Sequence, residues 1–174
     1  VILKEQSSID NLERKMANFD KKTVFPAGTY VIIDPCYVLH GDWSEICNDF
    51  FFATRHDNGC NEGEFTMKNG GRIFIGNTAY GDGYYHDNFN NGYGVDAGCI
   101  GIVPFDIIDQ TDKLNDIRLG TVVNFDEDFE VSVDKGIFQF GNIVIDTAGE
   151  DDWEEPEFDD EEWGEMDYDE YTQL

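Results

Sequence analysis

Leu119-Gly120-Thr121-Val122-Val123-Asn124-Phe125, Phe129-Glu130-Val131-Ser132-Val133, Ile137-Phe138-Gln139-Phe140 and Ile143-Val144-Ile145 are four short apolar runs in close succession. Valine, isoleucine and phenylalanine dominate them, and these side chains suit a pleated, half-buried surface. The linkers Asp126-Glu127-Asp128, Asp134-Lys135-Gly136 and Gly141-Asn142 are too short for crossovers. Consecutive runs must then be antiparallel neighbours, which makes the series a β-meander. This sets the expected fold class: mainly β (α+β), with an antiparallel β-sandwich or a curled, partly open barrel as the way to bury one face of the sheet.

The stretches upstream agree. Thr29-Tyr30-Val31-Ile32-Ile33 reads as a strand, stopped at Asp34-Pro35 because proline cannot donate to the ladder. Phe65 to Met67 and Arg72 to Ile75 flank Asn69-Gly70-Gly71, a strong hairpin signal. Val95 to Val103 resumes strand character, with Gly98 and Gly101 allowing close backbone approach. Trp43 to Phe50 reads as a short helix with Asp42 as its cap, and Phe50-Phe51-Phe52 as a buried strand or a helix exit. Residues 56–64 read as a loop. Ala79 to Gly94 contains no branched aliphatic residue and reads as a long, glycine-rich surface loop. Near the start, Ile9, Leu12, Met16 and Phe19 recur at helical spacing, with Ser7 or Ser8 to cap and Asp10 in the first turn. The expected organisation is a helical segment over 1–22, a β-rich domain over 23–149 and an acidic, aromatic tail over 150–174.

Charge bears on function more than any motif does. The 174 residues carry 38 Asp or Glu against 11 Lys or Arg, a formal net charge of -27. Fourteen of those acids lie between Glu150 and Leu174, where there is no Lys or Arg. A segment this acidic cannot collapse alone, because its repulsion has no internal countercharge. Its rings exceed what a solubilising tail needs. That combination points to a docking strip for a basic protein. The carboxylates of Asp151, Asp152, Glu154, Glu155, Asp159, Asp160, Glu161 and Glu162 would grip, and Trp153, Phe158, Trp163 and Tyr168 would anchor in apolar grooves. The remaining 149 residues are acidic too, with 24 acids against 11 bases. Such a field repels nucleic acid, anionic lipid and phosphorylated substrates, and attracts basic protein surfaces.

No stretch approaches the roughly 20 apolar residues of a membrane span. The opening Val1-Ile2-Leu3-Lys4-Glu5 holds no apolar run of leader length. Cys36, Cys47, Cys60 and Cys99 are too few and scattered for a disulfide scaffold, and suit reduced thiols. A cytoplasmic location is expected.

Other chemistry has weaker support. Asp82 and Asp87, with Asp96 and Asp34, offer oxygens of the kind that hold Ca²⁺ or Mg²⁺, but their spacing does not match an EF-hand loop. Tyr80, Tyr84, Tyr85, Phe89 and Tyr93 offer rings that stack on a base or sugar, yet few cations lie nearby to hold a phosphate. Cys36, His40 and Cys47, and His56 with Cys60, are possible zinc ligands without the paired spacing of zinc modules. Asp34 before Pro35 has the form of a strand-end turn more than of a general acid or base. There is no Gly-x-Ser-x-Gly elbow, P-loop or dinucleotide fingerprint. A non-enzymatic role without cofactor or metal is expected. A small-ligand- or Ca²⁺-binding β domain using the 79–96 loop is the alternative.

Two stretches carry a resemblance. Gly28-Thr29-Tyr30-Val31-Ile32-Ile33-Asp34-Pro35-Cys36-Tyr37-Val38 resembles a G-x-Y-x-I-x-D-P-C-Y-V opening, and Gly94-Val95-Asp96-Ala97-Gly98 resembles a V-D-A-G strand. In these the chain is similar to an uncharacterised family of small β-rich proteins of bacteria and their phages, over about residues 25–108. The resemblance implies a β-rich fold and a microbial or viral source, and no activity. In kind rather than motif, the charge is similar to that of acidic phage proteins that mimic DNA and occupy the DNA grooves of host enzymes. A duplex carries one negative charge per roughly 1.7 Å of axis. The tail has comparable density, and Asp106, Asp109, Asp112, Asp116, Asp126, Glu127, Asp128 and Glu130 extend it if they share a face. The expected function is an acidic, phage-type binding protein that inhibits or regulates a basic nucleic-acid-handling host protein, of the DNA-mimic or anti-defence kind. An immunity-type, toxin-neutralising protein would share the same docking physics.

Overall fold

The computed structural model describes residues 21–53, 60–109 and 117–149. The expected helix over 7–20, the tail over 150–174, and His56, Asp112 and Asp116 lie outside the described residues.

The fold is mainly β, and every strand pair is antiparallel. One sheet runs β1 (Lys22–Phe25), β9 (Phe129–Asp134), β10 (Ile137–Phe140), β11 (Ile143–Asp146). The second runs β3 (Gly63–Thr66), β4 (Arg72–Asn77), β7 (Cys99–Pro104), β2 (Gly28–Ile33), β8 (Thr121–Phe125). A two-stranded ribbon, β5 (Gly83–His86) with β6 (Gly92–Val95), completes the set. The sheets face each other as a sandwich and do not close into a barrel.

Phe74, Ile102, Val131, Phe138, Phe140 and Ile145 are fully buried between the two sheets. The opposite face of the five-stranded sheet has a second core. There Val31, Ile33, Ile73, Ile75 and Val103 meet Val38, Leu39, Ile46, Phe50 and Phe51 from a helical layer. That layer comprises a 3₁₀ turn at Pro35–Tyr37, the short helix α1 (Trp43–Ile46) and a π turn at Cys47–Phe51. β2 and β7 are therefore covered on both sides, which explains their unbroken apolar sequence. Phe50-Phe51-Phe52 is the helix exit, with Phe52 turned outward. Asp42 precedes α1 but makes no side-chain cap bond.

Two expectations need correction. β9, β10 and β11 do form a meander, with Lys135 and Gly136 at φ 47° and 81° in their first turn. Two successive positive φ values are the pattern that matches strand twist in a two-residue hairpin. β8 is not its fourth member. It pairs with β2 in the other sheet, so Asp126-Glu127-Asp128 passes between the sheets. β1 occupies the edge of β9 that a hairpin partner would take, and Phe125 stacks on Phe129 at 3.6 Å between ring centroids across the passage. The second correction is the stretch 79–94, which holds the β5–β6 ribbon rather than a bare loop. Tyr85, Tyr93 and Val95 point into the core between the sheets, while Tyr84, His86, Gly92 and Gly94 form the outer face. Asp87 bridges to Ile145, and the Asn88 amide donates to the Val144 carbonyl at 3.0 Å, so the ribbon extends the four-stranded sheet beyond β11.

The sheets approach most tightly at Gly76. A Cβ there would lie 2.6 Å from Phe138 Cε1 and 2.7 Å from Val133 Cγ2. Gly76→Val is expected to cost roughly 1–3 kcal/mol by overpacking, read as a lowered urea midpoint. Gly41→Ala, which meets nothing within 4 Å, should stay within about 0.5 kcal/mol of the parent.

Candidate functional site

Asp34, where β2 leaves the sheet, is fully buried at 0 % exposure. Its Oδ1 accepts from the Cys36 amide at 3.1 Å and lies 3.7 Å from the Cys99 thiol. Its Oδ2 accepts from the Asp96 amide at 2.9 Å and the Ala97 amide at 2.7 Å. One carboxyl thus joins the Asp-Pro-Cys-Tyr stretch to the Val-Asp-Ala-Gly stretch, the two most distinctive motifs of the sequence. Proline at the first 3₁₀ position leaves no amide to satisfy there, and the Asp34 side chain caps the next one. Both oxygens of Asp34 are engaged by the fold.

Asp82 and Asp96 lie nearby and are exposed. Burial, and then the charges of Asp34, Asp96 and Asp82, push the Cys36 thiol well up. Burial first, then Asp96, Cys36, Asp34 and Asp82, push the Tyr37 phenol up to about 12. The structure therefore brings Asp34, Asp82 and Asp96 to one end of the β6–β7 turn. Among the described residues, however, no group of three His, Cys, Asp or Glu side chains is placed to hold a metal ion. Burial also pushes up the thiols of Cys47 and Cys99. A thiol held protonated is a poor nucleophile and a poor metal ligand.

Asp87 is apart from that cluster and is 7 % exposed. Oδ1 accepts from the Phe89 amide at 2.8 Å and the Asn91 amide at 2.9 Å. Oδ2 accepts from Asn91 Nδ2 at 3.0 Å and the Tyr93 hydroxyl at 2.7 Å. Burial alone would raise its carboxyl, but these bonds outweigh burial and hold it below the ordinary value. Asp87 shapes the ribbon's turn and has no oxygen left for a ligand. Tyr80 and Tyr84 are 76 % and 47 % exposed. The Tyr84 ring lies over Gly92, where a Cβ would collide with it, and meets His86 edge-on at 5.2 Å.

Two further surface acids, Asp106 and Asp128, belong to the surroundings of a cleft. The Asp128 carboxylate accepts from the Ala27 amide at 3.0 Å, which fixes the Asp126-Glu127-Asp128 passage against the Pro26-Ala27-Gly28 turn. That turn forms one wall of an open cleft of about 590 Å³, with Tyr30, Arg72, Phe105 and Asp106 among its other lining residues. Asp106 and Asp128 both act on the Tyr30 phenol, which burial raises most, Arg72 lowers and the two carboxylates raise again. Their charges reach Tyr30 from two different elements, Asp106 from the cleft lining and Asp128 from behind Ala27. Glu130 is on the outer face of β9, paired with Lys22 at 3.4 Å, and does not join them. This cleft escapes a sequence reading because three turns far apart in the chain build it.

Arg72 lies at the cleft wall but is already engaged. Its Nε and Nη2 donate to Glu64, Nη2 also reaches the Val24 carbonyl at 2.8 Å, and its guanidinium lies 4.1 Å from the centroid of the Phe25 ring. The bond to Arg72 holds the Glu64 carboxyl below its ordinary value, against burial, with help from Thr23. This knot ties β1 to β3 and β4, and so sheet to sheet.

Compared with protein-family models, curated proteins and solved structures, the chain matches none.

Asp34→Ala leaves three backbone donors without their acceptor and is expected to cost about 3 kcal/mol or more, measured by urea unfolding. A loss under about 1 kcal/mol would show that water replaces the carboxyl. Asp87 and Glu64 have lowered folded values, so each contributes stability above the unfolded-chain value that is lost as pH falls through the folded one. Unfolding free energy should hold near neutrality and fall below about pH 4, and Asp87→Asn should flatten that fall.

Proposed function

We propose that the chain is a non-enzymatic acidic binding protein that docks on a basic, nucleic-acid-handling protein and inhibits or regulates it, as DNA-mimicking phage proteins do. The observation that carries this reading is the Glu150–Leu174 stretch, with fourteen carboxylates, no cation and interleaved rings. The described body supports it. It holds 17 Asp or Glu against 6 Lys or Arg. Four of those six cations, Lys21, Lys22, Lys68 and Arg72, are paired with Glu62, Glu130, Asp49 and Glu64. The field left for a partner is negative in both parts of the chain. Dense carboxylates give long-range attraction and fast encounter, and aromatic anchors give residence. The protonated thiols and the fully engaged Asp34 and Asp87 favour binding over bond-making chemistry.

The immobilised full chain, incubated with a bacterial lysate at low salt, should capture nucleic-acid-handling proteins that duplex DNA releases. Deleting residues 150–174 should lower that capture at least about tenfold, as loss of multivalent contacts does, with the amide spectrum of the body unchanged. Captured proteins that duplex DNA does not displace, or equal capture by the shortened chain, would count against the proposal.

A further inference from the structure

We propose that the cleft beside the Pro26-Ala27-Gly28 turn receives one cationic side chain, a guanidinium or an ammonium, of the basic partner. This rests on the reading of the chain as an acidic docking protein and gives that reading an address on the folded body.

The volume, about 590 Å³, is within the range of clefts that enclose a ligand group. The walls are apolar where a stem would lie: Phe25, Pro26, Tyr30, Phe105 and Ile107. Lysine and arginine stems pack on such surfaces while the charged head reaches for acceptors. The acceptor is at the rim. Asp106 lines the cleft and is exposed, on the 3₁₀ turn Phe105–Ile107. Asp128 does not line the cleft but accepts from the amide of Ala27, which does, and so adds its charge from behind that wall. The one cation in the wall does not cancel them, because Arg72 is paired with Glu64 and stacked on Phe25. An anion would meet the Asp106 carboxylate, with the Arg72 guanidinium already held by Glu64, and a wholly apolar ligand would leave Asp106 desolvated without a partner. A cation with an aliphatic stem satisfies wall and rim together. An aromatic ring within reach of the head group adds to the attraction, as cation–π contacts do.

The test uses the full chain labelled with ¹⁵N and titrated with argininamide, beside citrullinamide, its isostere with a neutral ureido side chain, both compounds acetylated at the α-amine so that the guanidinium is the one charge that differs. Saturable amide shifts at Tyr30, Gly71 and Asp106 are expected with argininamide and not with citrullinamide. Asp106→Asn, at an exposed position, should leave the remaining spectrum in place and weaken argininamide roughly three- to fivefold, the effect of one partly exposed ion pair. No saturable shift at those amides overturns the cleft. Equal response to citrullinamide overturns the choice of a cation. Shifts confined to residues 150–174 overturn the cleft while leaving the acidic docking reading intact, since that reading fails only in the capture experiment.

Discussion

Asp34 sits where a central strand of the five-stranded sheet leaves the core, and its two oxygens take up backbone N–H groups from opposite directions. Much of the architecture follows from that one carboxyl. On one side it starts the 3₁₀ turn at Pro35, which begins the helical layer covering the outer face of β2 and β7. On the other it fixes the turn between β6 and β7, and so the direction in which the tyrosine ribbon leaves the sheet. The ribbon then reaches the far sheet through Asp87 and Ile145. A hydrophobic core alone is non-directional. Bonds to a buried carboxyl supply the direction, and they are costly to leave unmade.

The fold divides its acids into two groups with different tasks. Asp34, Asp87 and Glu64 are used internally, surrounded by donors that hold strands, turns and sheets in place. Asp106 is exposed in the lining of the cleft, and Asp128 ties a surface passage to the turn that forms one of its walls. Most of the described cations are consumed in pairing, so they do not neutralise that surface. Net charge of this size opposes compaction through self-repulsion. Keeping the surplus on the surface limits that cost, and an excess field outside the body is available to a positive partner.

The sequence was legible where local chemistry decides structure. Gly70 and Gly136, at φ 86° and 81°, announce turns because few other residues accept those backbone angles, and the strands on either side follow. The apolar runs at 28–33 and 99–104 are strands for the same local reason. What stayed hidden depends on contacts between distant residues. The three-residue link 126–128 reads as a hairpin, yet it crosses between sheets, because β1 had already taken the partner edge of β9. The ribbon at 83–95 lacks branched aliphatics, and its burial comes from tyrosines on one face with glycines opposite. Asp34 is visible as a strand-end residue, but its bond to a turn some sixty residues later is not. For the same reason the cleft at Tyr30 could not be drawn from its separate turns.

The central claim is that surplus negative charge holds a positive macromolecule. Its most direct measurement is the equilibrium affinity of the full chain for its captured partner as a function of salt concentration. A steep fall in affinity with rising salt is expected, because many screened charge contacts weaken together. An affinity that stays level from low to high salt would contradict the claim and leave the acidity without a role in binding.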